Sequence, residues 1–294
     1  MSISKQHKIK STVFSHFVFE MLLPAAIMIF IFFKLAPQKT ETDYGNNPKA
    51  GKYAEVNGIK MYYEIYGSGQ PLLFIHGNGG SIRSGWEQIA FFSKNYKVIA
   101  VDTRGCGKTI DTGDSLTYDL LASDINALLE NLHIDSANII GYSDGGIIGL
   151  ILGIKYPKKV KMLTAIAPNT RPDSGVLYPQ TQAKMAKDLA KLTELVKLGY
   201  KDKISKLKLV RLMVNHPHIS SAELAIIKAP VLVICGDRDM IKLSHIEEIF
   251  RSIPKSQLCV LPGSTHFAIQ ENSKIFNEAI ELFFTSPFEM PNSF

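Results

Sequence analysis

The feature that most constrains this chain is a serine at the junction of two apolar segments. Residues 139–142 read Ile-Ile-Gly-Tyr, Ser143 follows, and residues 144–156 open with Asp-Gly-Gly and continue as an apolar stretch. This pattern predicts a buried strand, a sharp turn and a helix. Gly141 and Gly145 flank the serine because a Cβ at either position would collide with neighbouring backbone in so tight a turn. The turn would project the Ser143 hydroxyl clear of the sheet, although an ordinary strand-to-helix turn is the alternative interpretation.

A serine becomes a nucleophile only beside a general base, which in turn needs an orienting acid. Residues 229–236 have the pattern of a buried parallel strand and are followed by Asp237 and Asp239. Residues 256–261 have the same pattern, and His266 lies in the turn beyond them. Open α/β sheets place their sites at the carboxyl ends of strands. We therefore predict that His266 is the base and that one of the two acids orients it, while a histidine with no role beyond its loop is the alternative.

A glycine-rich loop follows an earlier predicted strand. Residues 71–75 are apolar and run into His76, Gly77, Asn78 and two further glycines. This glycine density lets backbone N–H groups turn towards the site. We predict that the N–H groups of Asn78 and Asp144 form an oxyanion hole and that His76 holds the loop.

These motifs together resemble those of the α/β-hydrolase-fold serine hydrolases. The resemblance covers residues 53–284 and rests on the glycine-rich loop, Asp-Thr-Arg-Gly-Cys-Gly at residues 102–107, the Ser143 turn, and Asp239 with His266. In that family the second acid of a Gly-Asp-x-Asp turn is usually the triad member, which favours Asp239 over the first acid. The Ser-Asp-Gly-Gly turn is similar to that of biphenyl-hydrolase-like, valacyclovirase-type esterases.

The order of the predicted elements indicates an α/β fold: a mostly parallel sheet flanked by helices. Apolar strands alternate with amphipathic segments, and Asn-Gly at residues 57–58 predicts an initial hairpin. The rhythm breaks in residues 169–228, where a helical face repeats Met185, Leu189, Leu192 and Val196 among lysines. We predict a core of residues 53–168 and 229–286, interrupted by a short helical cap over residues 169–228.

The amino terminus predicts attachment to a membrane. Lysines precede residues 13–33, which are almost wholly apolar and long enough to span a bilayer despite Glu20. We expect residues 1–35 to be an uncleaved transmembrane anchor in the lipid bilayer and polar residues 36–52 to be a flexible tether. The upstream lysines favour a single-pass membrane protein with its catalytic domain outside the cytoplasm.

Several other classes of site are excluded by the sequence. The formal charge is +6, but no recognition motif accompanies the lysines, so nucleic-acid binding is not expected. Gly-Lys-Thr at residues 107–109 is no phosphate loop, since the position that needs glycine is Asp102. His216 and His218 around a proline have no acidic or thiol partners nearby and make a poor ligand set. We expect no metal and no cofactor, and the three cysteines do not suggest a disulfide framework.

The predicted function is therefore hydrolysis of a small carboxylic ester or related acyl bond through Ser143, His266 and Asp239. Asp144 beside the nucleophile would bind substrate if its carboxylate faces the acyl pocket, favouring an ammonium group. Two alternatives remain: a ligand-binding or sensing protein of the same fold with slow turnover, and a cofactor-free perhydrolase-like enzyme. The natural substrate and the oligomeric state are not encoded in any motif.

Overall fold

The structure is a computed structural model that describes residues 42–286. Its strands are β1 (Gly51–Val56), β2 (Ile59–Tyr66), β3 (Pro71–Ile75), β4 (Lys97–Val101), β5 (Ala137–Tyr142), β6 (Val160–Ile166), β7 (Val231–Gly236) and β8 (Ser256–Leu261). They form one sheet in the order β1-β2-β4-β3-β5-β6-β7-β8. The hairpin β1–β2 and the pair β2–β4 are antiparallel, and every other neighbouring pair is parallel. The predicted mostly parallel sheet and its initial hairpin are confirmed.

Helices cover both faces of this sheet. They are α1 (Trp86–Phe92), α2 (Tyr118–Asn131), α3 (Asp144–Lys155), α4 (Pro179–Lys197), α5 (Ile204–Asn215), α6 (Ser221–Leu224), α7 (Leu243–Ser252), α8 (Ala268–Glu271) and α9 (Ser273–Thr285). Helix α2 packs on α3, which packs on β5 and β6, while α1 packs on α9 and β4.

The central strands are buried along their whole length. Every residue of β5 and of β7 is buried, as expected for parallel strands covered on both faces. The chain order around β3 reverses here, because β4 lies on one side of β3 and β5 on the other. In open α/β sheets such a switch point opens a crevice at the carboxyl ends of the strands, and the loop after β3 and the turn after β5 meet there.

Three helices, α4, α5 and α6, lie between β6 and β7, where the sequence predicts a cap; we call them the cap helices. A small apolar cluster of Leu192, Leu207 and Val210 joins α4 to α5. Leu209 and Leu212 of α5 belong instead to the main core.

Part of the predicted tether is ordered. Gly45 and Asn47 donate backbone N–H groups to the Glu64 carboxylate at 2.7 and 3.0 Å, and the ring of Tyr44 stacks edge-on against Tyr66 at 4.9 Å. The segment from residue 43 to the start of β1 is thus bound to the domain. The polar composition of this segment predicted a flexible tether. Its contacts to Glu64, which is distant in the chain, leave no pattern in the local sequence that could have predicted the order.

The prediction of a single-pass membrane localisation is wrong as far as the described residues show. No helix within residues 42–286 is both long and apolar enough to cross a bilayer. Helix α3 is apolar, but its 12 residues span about 18 Å against a hydrocarbon core of about 30 Å. Helix α4 has 19 residues but carries several lysines. The predicted anchor, residues 1–35, with its lipid bilayer contact, lies outside the described residues.

Candidate active site

Ser143 occupies the apex of the predicted turn between β5 and α3. Its φ of 53° and ψ of −112° are a backbone conformation that residues with a side chain rarely adopt. Residues in such strained conformations cluster at functional sites. The flanking glycines are required sterically. A Cβ at Gly141 would lie 2.1 Å from the carbonyl oxygen of Gly145, and one at Gly145 would lie 2.1 Å from that of Ile75. The hydroxyl is thereby presented on a half-buried residue at the sheet edge.

The structure brings Ser143, His266 and Asp239 into hydrogen-bond contact. His266 Nδ1 lies 2.8 Å from Asp239 Oδ1, and His266 Nε2 lies 3.0 Å from Ser143 Oγ. A carboxylate only accepts hydrogen bonds, so Nδ1 carries the proton and Nε2 presents its lone pair to the serine hydroxyl. Asp239 Oδ1 also accepts the backbone N–H of Ile241 at 2.9 Å, which fixes the carboxylate. This arrangement can remove a proton from Ser143.

The competing acid, Asp237, lies outside this series. Its Oδ1 accepts the backbone N–H of Ser264 at 3.1 Å, so it connects the turn after β7 to the turn after β8. Backbone hydrogen bonds from Gly263 and Ser264 hold the pKa of this exposed carboxyl below its usual value. Asp237 therefore holds the loop that carries His266.

The glycine-rich loop after β3 lies directly against the nucleophile. A Cβ added at Gly77 would come within 3.2 Å of Ser143 Cβ. His76 is buried and holds the loop: its Nδ1 donates to the Gly77 carbonyl at 2.7 Å and its Nε2 accepts the Thr103 N–H at 3.1 Å. Burial lowers the pKa of His76, in keeping with a neutral ring.

The two predicted oxyanion residues contact each other through their side chains. Asn78 Nδ2 donates to Asp144 Oδ2 at 2.8 Å. Asp144 is the first residue of α3, so its backbone N–H has no carbonyl four residues back in the helix to bond to. The positive end of the helix points at the same place. The side-chain contact brings Asn78 next to the first turn of α3, and the oxyanion hole formed by the two backbone N–H groups stays a prediction.

The Asp144 side chain is buried and bonded on both oxygens. Besides Asn78, the Tyr118 hydroxyl donates to Oδ1 at 2.9 Å, and the residue is only 7% exposed. Desolvation raises the pKa of Asp144 to about 6, although both hydrogen bonds and His266 oppose the rise. Asp144 is therefore a carboxylate held by neutral donors next to the nucleophile.

Two tyrosines in the site are absent from the sequence prediction. Tyr118 supports Asp144 as described, and Tyr142 Oη donates to the His266 carbonyl at 3.1 Å. Tyr142 adjoins Ser143 in the motif, so its position was a usable signal. Nothing in the sequence around Tyr118 connects it to a residue 26 positions away.

An open groove of about 520 Å³ adjoins the histidine. It is lined by Tyr178, Gln180, Arg238, Met240, His266 and Phe267, among others. Its volume lies within the range of small-molecule sites. Among residues 42–286, no group of three or more histidine, cysteine or acidic side chains is arranged to hold a metal ion.

Comparison with known proteins identifies relatives with the same fold. A family model described as the alpha/beta hydrolase fold matches residues 70–199. The AB hydrolase superfamily protein YisY of Bacillus subtilis is 27% identical over 262 residues, covering 78% of this chain and 96% of the relative. The mouse serine hydrolase BPHL is 24% identical over 260 residues, covering 82% of this chain and 88% of that protein.

A solved structure agrees in fold. The meta-cleavage product hydrolase CumD of Pseudomonas fluorescens superposes with a TM-score of 0.67 at 22% identity, over 81% of this chain and 98% of CumD. At that identity the likeness shows the fold alone. The family model, the relatives and the sheet order agree that the chain has the α/β-hydrolase fold.

Proposed function

We propose that this protein is a serine hydrolase that cleaves a small carboxylic ester, or a related acyl bond, through an acyl-enzyme. The observation that carries the proposal is the unbroken series of hydrogen bonds from Asp239 through His266 to Ser143, ending at a strained serine. A serine hydroxyl, a base and an orienting acid are the parts that acyl transfer needs.

In the first half of the reaction His266 Nε2 takes the proton of Ser143 as Oγ attacks the ester carbonyl. The carbonyl oxygen becomes negatively charged and accepts hydrogen bonds from the backbone N–H groups of Asn78 and Asp144. Asp239 stabilises the imidazolium ion that forms. His266 then gives its proton to the alcohol oxygen as the ester C–O bond breaks, leaving the acyl group on Ser143.

In the second half a water molecule attacks the acyl-enzyme. His266 accepts the water proton, the same two N–H groups stabilise the oxyanion, and the proton passes to Ser143 Oγ as the carboxylic acid leaves. A serine at this position fits hydrolysis through an acyl-enzyme. Haloalkane dehalogenases and epoxide hydrolases of this fold have an aspartate there, which forms an alkyl ester with the substrate.

The groove beside His266 adjoins the base, but its lining does not include Ser143, Asn78 or Asp144. Asp144 is proposed to favour substrates that carry a positive charge near the acyl group. Each of its oxygens accepts one hydrogen bond from a neutral donor, so a nearby substrate ammonium would supply a positive charge that neither donor carries. Comparing kcat/KM for a charged and a neutral acyl ester in Asp144→Asn checks this role, and an unchanged ratio would remove it.

Active-site labelling tests the proposal as a whole. The purified protein should react with a fluorophosphonate probe and hydrolyse short p-nitrophenyl esters. Ser143→Ala should lose labelling and lower kcat by about 10⁴-fold or more. Ser205→Ala, an exposed serine of α5, is the matched control and should retain both. A folded wild-type protein that neither labels nor hydrolyses would favour the sensing alternative.

A further inference from the structure

The cap helix α5 carries a lysine that is buried against the core. Lys208 is 7% exposed. Its Nζ forms an ion pair with Asp111 and donates to the Gly113 carbonyl at 2.7 Å. Both partners lie in the loop between β4 and α2, which belongs to the core. The other lysines of the cap that form ion pairs, such as Lys184 with its side chain 76% exposed, lie in solvent.

Asp111 is part of a larger buried charge network. Arg104 contacts Asp111 at 3.4 Å and forms two hydrogen bonds with Asp124, at 2.7 and 2.8 Å. Two cations thus face two carboxylates. Burial opposes ionisation of Asp111, yet hydrogen bonds from Lys208, the Gly113 backbone and Arg104 hold its pKa below the ordinary value. Removing Lys208 would leave the network with an uncompensated negative charge, which is costly in a buried site.

The next residue of α5 connects the cap to the nucleophile. The Leu209 carbonyl accepts Asn78 Nδ2 at 3.2 Å, and the same NH₂ group donates to Asp144 Oδ2. A carboxamide has two N–H donors, so both are used. The Asn78 side chain therefore joins three elements: the loop after β3, the first turn of α3 and the cap helix α5.

We propose that Lys208 is a positioning residue for the hydrolysis reaction: its ion pair with Asp111 fixes α5 so that the Leu209 carbonyl holds Asn78 beside Ser143. This inference rests on the proposed function, since Asn78 supplies one of the two oxyanion donors there. The apolar contacts of Leu209 and Leu212 with the core are less directional than an ion pair. The buried ion pair is directional and lies one residue from the Asn78 contact.

Small displacements matter at such a site. An error of about 1 Å in the position of a catalytic group can lower the rate by about 10²-fold. The Asn78 side chain is bonded to α5, and its backbone N–H is the proposed oxyanion donor. A shift of α5 would therefore pull on the side chain and displace this N–H. An ion pair with a purely structural role would affect the stability of the protein but not the position of the Asn78 N–H.

Two variants separate positioning from stability. Lys208→Met keeps the apolar stem and removes the charge. Lys208→Met with Asp111→Asn also removes the unpaired carboxylate, so it should regain most of the lost thermal stability. Lys184→Met, which removes an exposed ion pair of the same cap, is the matched control. We would measure Tm, kcat and KM on a p-nitrophenyl ester, and hydrogen–deuterium exchange of the peptide covering residues 76–81.

Lys208→Met is expected to lower kcat about tenfold with little change in KM and to speed exchange in residues 76–81. The double variant should regain Tm while kcat stays low and exchange stays fast, and Lys184→Met should match wild type in all readouts. Recovery of kcat together with Tm in the double variant, or wild-type exchange in a folded variant, would overturn the inference. If the wild-type protein has no activity but the Lys208 variants still exchange faster in residues 76–81, the positioning role would be supported and the proposed function rejected.

Discussion

The carboxyl edge of the sheet and the cap helices bury very different amounts of apolar side chain. At the edge, β5 and β7 are buried at every residue, and α3 is buried from Asp144 to Gly153. In the cap, α4 buries only Leu192 fully, and the cluster it shares with α5 contains three buried residues. The candidate catalytic residues stand on the densely packed side.

This difference separates two ways of holding a side chain. Ser143, Asp239 and His266 follow strands whose positions are fixed by packing and by parallel pairing. The cap meets the site through the part-buried contact of Asn78 with Leu209, and it meets the core through the buried ion pair of Lys208 with Asp111 and through apolar side chains of α5. A single change at the edge should therefore have a larger effect than a comparable change in the cap.

The largest effect is expected at the edge, from the acid that contacts His266. Asp239→Asn should keep the fold but lower kcat by about 10⁴-fold, because the amide no longer stabilises the required tautomer and imidazolium. Asp237→Asn is the matched control, two residues away. Its amide oxygen can still accept the Ser264 N–H that holds the loop of His266, so kcat should change by no more than about twofold. Steady-state kinetics on a p-nitrophenyl ester distinguishes them. A larger loss in Asp237→Asn would reverse the assignment of the two acids.

The second effect compares one glycine from each region. In Gly141→Ala the new Cβ would lie 2.1 Å from the Gly145 carbonyl oxygen, and we expect a loss of at least about 3 kcal/mol in the free energy of unfolding. Gly199 at the end of α4 has a φ of 94° and no atom within 4 Å of an added Cβ. Gly199→Ala should cost about 1 kcal/mol from backbone strain alone. Urea unfolding measures both, and equal losses would contradict the contrast between edge and cap.

The third effect concerns Asp144, where the two regions meet. Burial raises its pKa from 3.8 to about 6, so the folded protein binds this proton more tightly than the unfolded chain. Stability should then fall as the pH rises from about 4 to about 6 and stay reduced above that. Asp144→Asn removes this titration.

Relative to wild type, the Asp144→Asn variant should therefore gain up to about 3 kcal/mol between pH 4 and pH 7. Urea unfolding across this range measures the gain, with Asp135→Asn, an exposed loop acid, as the control. A difference between variant and wild type that is independent of pH would show that Asp144 keeps an ordinary affinity for its proton.

The sequence was sufficient where the information is local. Apolar runs predicted β3, β5, β7 and β8, and the two glycines around Ser143 predicted its turn. The burial expected for β8 was wrong, because β8 is an edge strand with only Leu261 buried. The choice of Asp239 depended on the family resemblance, because spacing alone did not separate it from Asp237. The site's polar contacts join residues far apart in the chain: Lys208 lies 97 positions from Asp111 and Asn78 lies 66 from Asp144. No single-sequence pattern reports such pairs.

The segment before β1 defines where a shortened version of the protein can begin. The Glu64 carboxylate is fully buried, and two of its donors are the backbone N–H groups of Gly45 and Asn47. A chain cut back to the first strand would keep the sheet residues but strip those donors from a buried charge. A truncation that removes Gly45 and Asn47 should therefore destabilise the protein.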